Sequence, residues 1–138
     1  MKLNFSMSEL IHSDTAARYK INNMPDLRAL DNLLKLIYYC AQPLRDKAGR
    51  AFIITSGYRC PLLNKTICGS STSHHCQGCA MDFHIEGMSI SQGIDFIRKS
   101  GIKFTQLIDE GNWIHLSYVQ DNLKCEVLKY RNGKYIRI

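Results

Sequence analysis

Ser73-His74-His75-Cys76-Gln77-Gly78-Cys79-Ala80-Met81-Asp82-Phe83-His84 holds the densest cluster of metal-capable side chains in the chain. Three histidines, two cysteines and one aspartate fall within these twelve residues. Imidazole, thiolate and carboxylate are the protein ligand types that zinc accepts. Gly78 breaks a helix and permits a sharp turn. Beyond it, Ala80 to Ile85 alternates in polarity, which predicts a half-buried strand. Met81, Phe83 and Ile85 then face the core, and Asp82 and His84 face the other side. A turn at Gly78 could bring His75 back beside Asp82. A catalytic zinc site takes three protein ligands and keeps one position open, so a third ligand is expected from elsewhere in the chain.

Other readings of the stretch compete. Histidine-rich loops are more often solvated surface than ligands. Cys76 and Cys79 could be a redox pair or half of a zinc ribbon. A ribbon needs a second close pair, however, and Cys40, Cys60, Cys68 and Cys125 stand alone. A thioredoxin-like pair sits at a helix N-terminus, whereas here a strand follows.

The chain has 138 residues, which fits one domain spanning 1–138 with a sizeable core. Its 45% hydrophobic and 22% charged content is that of an ordinary globular protein. There is no apolar run long enough for a membrane span, and no membrane partner is expected. Residues 1–9 lack the basic and apolar regions of a secretory signal. Synthesis in the cytoplasm is therefore expected, with the six cysteines as free thiols. The formal charge of +6 suits an anionic partner such as a wall polymer. Nucleic acid is not expected, because the basic residues are scattered and form no recognisable motif. The chain is expected to be a monomer.

Ser6-Met7-Ser8-Glu9 fits a capping box at the start of a short helix, and Ser13 could cap a second. Asn22-Asn23-Met24-Pro25-Asp26 reads as a helix start, with a capping side chain, an early proline and an acid in the first turn. Leu27, Leu30, Leu34, Ile37 and Ala41 follow at helical spacing as a core stripe, and Pro43 should kink or end the helix, although Leu44-Arg45-Asp46-Lys47-Ala48 could continue it to Gly49. Ala51–Thr55 is predicted as a buried strand, Pro61–Ile67 as a short helix and Ser89–Ser100 as a helix ending at Gly101. Strands are predicted at Phe104–Ile108 and Trp113–Ser117, around a tight turn at Glu110-Gly111-Asn112. Cys125–Tyr130 and Lys134–Ile138 read as a hairpin turned at Asn132-Gly133. Helices come early and antiparallel-type strands later, which is the order of an α+β fold.

His115 is the best outside candidate for the third metal ligand. Asp109 and Glu110 lie on the turn just before it. Zinc lowers the pKa of a water it holds to about 7, and a nearby carboxylate can then take the proton. Arg59, on the turn after a predicted strand, could stabilise an oxyanion or bind a carboxylate. The commoner role for such a residue is a surface ion pair.

Ser73-x-His75-x-x-Gly78-x-Ala80-x-Asp82 resembles the zinc motif of the zinc D-alanyl-D-alanine carboxypeptidases, the family that also holds the D-Ala-D-Ala dipeptidases. Trp113-Ile114-His115 is similar to their second zinc motif and Ser56-Gly57-Tyr58-Arg59 to their arginine motif. The likeness extends to Ser13-Asp14-Thr15-Ala16, Asn23-Met24-Pro25 and Gln42-Pro43-Leu44-Arg45, and is closest to small single-domain members. The resemblance implies a hedgehog/DD-peptidase-like fold, a small antiparallel sheet flanked by helices. It implies Zn2+ held by His75, Asp82 and His115, with Glu110 as general base and Arg59 as transition-state or peptide anchor. Ser73 and Trp113 would join Arg59 in binding substrate. The implied activity is hydrolysis of peptidoglycan stem or cross-bridge peptides, as a carboxypeptidase or endopeptidase, with a phage endolysin as one setting at the cell wall.

The chain also departs from the family pattern. Glu110 lies five residues before His115, where many members place the glutamate three before, so Asp109 is a rival base. Cys76 and Cys79 intrude between ligands, Cys68 precedes Gly69 where a glycine is common, and His84 shares the face of Asp82. A non-catalytic, zinc-containing wall-binding module is the alternative function.

Overall fold

A computed structural model describes all 138 residues. One sheet runs through the molecule, formed by β1 (Phe52–Ser56), β2 (Ala80–Ile85), β3 (Gln106–Asp109), β4 (Ile114–Ser117), β5 (Glu126–Arg131) and β6 (Lys134–Arg137). The strand order is β1-β2-β4-β3-β5-β6. Every neighbouring pair is antiparallel except β3 and β5, which run parallel. The helices are α1 (Met7–Ile11), α2 (Asp14–Arg18), α3 (Leu27–Leu36), α4 (Gln42–Ala48), α5 (Pro61–Thr66) and α6 (Ile90–Lys99). This is the expected α+β architecture, with one parallel pairing in an otherwise antiparallel sheet. No helix is long and apolar enough to cross a membrane.

The alternation of β2 decides which face of the sheet carries the core. Met81, Phe83 and Ile85 are buried with Ile114 and Leu116 of β4, Leu107 of β3, and Ile94 and Ile97 of α6. Burying a side chain the size of Phe83 contributes roughly 1.5–3 kcal/mol. Asp82 and His115 occupy alternate positions and so share the opposite face. α6 starts as its sequence requires: Ser89 Oγ accepts from the Gln92 amide at 3.1 Å and Gln92 caps back to Ser89 N at 2.8 Å.

The helical segment from 27 to 48 differs from the sequence reading in its cap and in part of its core stripe. Its N-cap is Asp26, whose side chain accepts from Ala29 N at 2.8 Å; neither Asn22 nor Asn23 caps it. Leu27 is 85% exposed and Leu34 also lies outside; Ile37 and Ala41 are buried as expected, and Ala29, Leu33, Leu36 and Cys40 complete the buried face. Both series keep helical spacing, and tertiary contact selects between them: Ala29 and Leu33 pack with Tyr58, Cys60 and Leu63, whereas Leu36, Ile37 and Cys40 join the core against the sheet. The helix does continue to Gly49, as one of the two expectations for Pro43 had it, through a π-helical turn at Ile37–Ala41 that joins α3 to α4. Pro43 has no N–H to give and its ring crowds the preceding turn, so the wider turn absorbs the misfit and the helix continues.

β1 is an edge strand, with Phe52 buried and Ile53 exposed; the sequence reading made it fully buried. β3 begins two residues later than predicted. The hairpin turn at Asn132 and Gly133 has positive φ at both residues (52° and 77°), as a type I′ turn needs.

Candidate active site

Cross-strand register creates the first half of the site. Asp82 on β2 lies directly opposite His115 on β4, and His115 Nδ1 stands 2.9 Å from Asp82 Oδ1. The 3₁₀ turn His74–Gln77, ended by left-handed Gly78 (φ 75°), returns His75 to the same carboxylate. His75 Nε2 lies 3.2 Å from Asp82 Oδ1. A Cβ on Gly78 would stand 2.2 Å from the Ala29 carbonyl oxygen, so the turn packs directly on α3. Asn32 of α3 adds a hydrogen bond to the Gln77 carbonyl at 2.9 Å.

His75 Nδ1 is 2.7 Å from the carbonyl oxygen of Gly57. A carbonyl only accepts, so Nδ1 carries the proton and donates. In the neutral ring, Nε2 then presents a lone pair to the Asp82 carboxylate. Two acceptors at 3.2 Å call for a cation between them, either a proton or a metal ion. The donor atoms of His75, Asp82 and His115 all lie within 4.8 Å of one another. Tetrahedral zinc ligands at 2.0–2.2 Å from the metal stand about 3.3 Å apart, so the donor set fits zinc in both chemistry and spacing. The Gly57 contact also orients the imidazole from behind, as a second hydrogen bond does for metal-binding histidines. Without a metal, burial would raise the Asp82 pKa. Hydrogen bonds from His115 and His75 outweigh that and hold it well below the usual carboxylate range.

The three residues open into a groove of about 620 Å³. Arg59, Ser73, Glu110 and Trp113 line it with them. Ser73 Oγ accepts from His75 N at 3.2 Å and from Arg59 Nη2 at 3.4 Å. The Arg59 Nε–H is buried without a partner, which leaves donor capacity for a ligand. Burial weakens the hold of Arg59 on its proton, and the nearby Asp82 charge partly restores it. Burial raises the Glu110 pKa, with His115 opposing and Asp82 and Asp109 adding to the rise. A carboxylate in that state is suited to exchanging a proton.

Residues 3–117 match the family model described as Peptidase M15. The chain belongs to the Peptidase M15 family. This is the family of the zinc D-Ala-D-Ala carboxypeptidases, so the M15 chain is a zinc-dependent metallopeptidase of the class that acts on peptidoglycan. No curated protein gives a significant match.

The M15 site leaves several residues of the sequence cluster outside. Cys76 and Cys79 are free thiols and neither belongs to the group of converging donors. Cys79 is buried, with Sγ 3.8 Å from the Gln77 carbonyl. His84 pairs across the sheet with Ile53 and is likewise not among those donors. Asp109 points to the face opposite Ile108, which lines the groove; its Oδ1 accepts from Gly111 N at 2.8 Å and from Arg131 at 3.4 Å.

Asn23, within the stretch that reads as a helix start, builds the site from behind. Its Nδ2 donates to the carbonyls of Ile11 (2.8 Å) and Tyr58 (2.9 Å), and its Oδ1 accepts from Cys60 N at 2.7 Å. It thereby holds the turn that presents Gly57 and Arg59. Gln106, Lys124, Leu128 and Tyr135 also line the groove. Gln106, Leu128 and Tyr135 lie on β3, β5 and β6 and Lys124 on the segment before β5, and none carries a local signal in the sequence.

Proposed function

We propose that this chain hydrolyses a peptide bond in peptidoglycan, in a stem peptide at D-Ala-D-Ala or in a cross-bridge, with His75, Asp82 and His115 as its zinc ligands. The observation that carries this reading is the convergence of these three donors on one groove whose walls also hold Glu110 and Arg59. Zinc at such a site supplies Lewis-acid polarisation of the scissile carbonyl and acidifies water.

The chain's own groups supply the rest. Glu110, on the groove wall, takes the proton of the attacking water and delivers it to the leaving amine. Arg59 donates hydrogen bonds to the charge that develops on the substrate. Ser73 positions both Arg59 and the His75 backbone, and the half-exposed Trp113 offers an apolar surface to the peptide. Asp82 keeps its charge, so it balances a bound cation and does not compete for the water's proton. The presence of Glu110 in the groove favours an enzyme over a wall-binding module. A net charge of +6 suits work at an anionic wall, as a lysis enzyme would require.

Zinc content and hydrolysis of purified peptidoglycan, measured on wild type and His115→Ala, test this. The expected result is about one zinc per chain, lost in the variant together with turnover. Zinc without turnover in the wild type would support the binding module. Zinc retained by His115→Ala would overturn the ligand assignment.

A further inference from the structure

The β5–β6 hairpin lies beyond residues 3–117, the span that matches the family. Strand register nevertheless brings one of its tyrosines to the groove. Ile108 pairs with Leu128 and Asp109 with Lys129, so Glu110 and Tyr130 follow one position further along. Ile108 and Leu128 both line the groove. Side chains two residues apart on a strand share a face, which puts Glu110 and Tyr130 on the groove face too. Tyr130 pairs with Tyr135 on β6, and directly paired residues point to the same face. Tyr135 thus stands level with Glu110, two strand spacings away, about 10 Å between backbones.

Further observations carry the Tyr135 side chain inward across that gap. It lines the groove together with Glu110, Asp82 and His115. Its ring leans on that of Tyr130, with centroids 4.8 Å apart and planes at 49°. Partial burial raises its pKa, and the charges of Glu110, Tyr130 and Asp82 add to the rise. The phenol is therefore near enough to feel both carboxylates, and it keeps its proton at neutral pH. Its hydroxyl has no partner within the chain: Arg131 and Arg137 are the hairpin side chains that donate hydrogen bonds. A protonated phenol without a partner is free to donate to a ligand. A peptide lying in the groove offers backbone carbonyls as neutral acceptors.

We infer that Tyr135 is a further substrate-contacting residue of this site, whose hydroxyl donates a hydrogen bond to a backbone carbonyl of the bound peptide beside Glu110. The inference rests on the peptidase reading of the same groove.

The test uses the whole zinc-loaded chain and soluble peptidoglycan fragments that keep intact stem and cross-bridge peptides. kcat/KM is measured for wild type, Tyr135→Phe and Tyr130→Phe. Binding is measured by calorimetry on Glu110→Gln, with and without Tyr135→Phe, so that the peptide stays intact. Tyr135→Phe should lower kcat/KM about three- to tenfold and weaken binding by a similar factor, as loss of one neutral hydrogen bond predicts. Its zinc content and Tm should equal those of wild type, and Tyr130→Phe should keep wild-type kcat/KM. Unchanged kcat/KM and binding in Tyr135→Phe would overturn the contact and leave the peptidase reading standing. An equal loss in Tyr130→Phe, or a fall in zinc content or Tm, would also overturn it, since the loss would then be structural. Reduced turnover with unchanged binding would overturn it as well, because Tyr135 would then act through Glu110. Binding that Tyr135→Phe weakens, with no turnover by wild type, would uphold the contact and sink the peptidase reading. Neither turnover nor binding by any form would overturn both.

Discussion

Asp82 and His115 are cross-strand partners on β2 and β4, and one carboxylate oxygen of Asp82 stands within 3.2 Å of ring nitrogens from both His115 and His75. The sheet therefore sets two of the three donors rigidly, and the 3₁₀ turn delivers the third. A metal bound there ties β2, β4 and the turn together. Asp82→Asn and His115→Ala are each expected to abolish stoichiometric zinc binding. Stripping the wild type with a chelator should lower its Tm, since a ligand at a hundred times its Kd contributes about 2.7 kcal/mol. Cys76→Ser/Cys79→Ser should keep its zinc, because neither thiol joins the converging donors. Elemental analysis and thermal melts of the four proteins check all three statements.

Glu110 and Asp109 are adjacent in sequence and face different surroundings. Glu110 lines the groove; Asp109 is buried against Arg131 and the Gly111 amide. Glu110→Gln should reduce turnover by about 10²–10⁴-fold with zinc content unchanged. Asp109→Asn should keep turnover and lower stability by about 1–3 kcal/mol, through the contacts it weakens. The pH profile adds a sign. Glu110 must be ionised to accept a proton, and burial raises its pKa above the ordinary 4.5. In the metal-free protein Glu110 should thus titrate above 4.5, and a carboxyl NMR titration of that form should show it, with the rise reduced once zinc is bound nearby.

Much of this site was legible because its pieces are local. The alternation of Ala80–Ile85 put Asp82 on the open face, and Gly78 announced the turn that returns His75. His115 could be nominated from its strand and the acid-bearing turn before it, but its place opposite Asp82 depends on register between strands 33 residues apart. Nothing local separates Leu27, Leu30 and Leu34 from Ala29, Leu33 and Leu36 as the buried stripe of α3, since both repeat with helical period. Asn22 to Asp26 offers three possible capping side chains before the helix, and nothing local assigns Asn23 another role. Its actual partners, Ile11, Tyr58 and Cys60, are visible only once the chain is folded. The hairpin residues that wall the groove were legible as a hairpin and not as part of a site.

Gly78 is held at φ 75° against α3, with no room for a Cβ beside the Ala29 carbonyl. Gly78→Ala combines left-handed strain with a clash against backbone, and neither can relax by moving a flexible side chain. A loss of about 1–3 kcal/mol is expected, read as a lower denaturant midpoint at unchanged m-value. The same shift should displace His75, so zinc affinity should fall together with stability. If stability falls and zinc affinity does not, His75 is positioned by its Gly57 contact alone.

Glu126 gives the fold an acid-sensitive joint outside the group of metal-binding residues. Hydrogen bonds from Gln106 and then Arg137 hold its pKa down to about 2, below the ordinary 4.5. The folded state therefore binds this proton less readily than the unfolded chain, so stability rises with pH across that window. The contribution is fully present above about pH 4.5 and is lost as pH falls toward about 2. Glu126→Gln should be less stable than wild type at neutral pH, with the gap narrowing below pH 4.5 and closing near pH 2. Denaturant titrations of both proteins from pH 2 to pH 7, on metal-free samples so that zinc release does not enter, would show this convergence. A gap constant across that range would mean that the Gln106 and Arg137 contacts do not stabilise the charged carboxylate, and that the β5–β6 junction is held by packing alone.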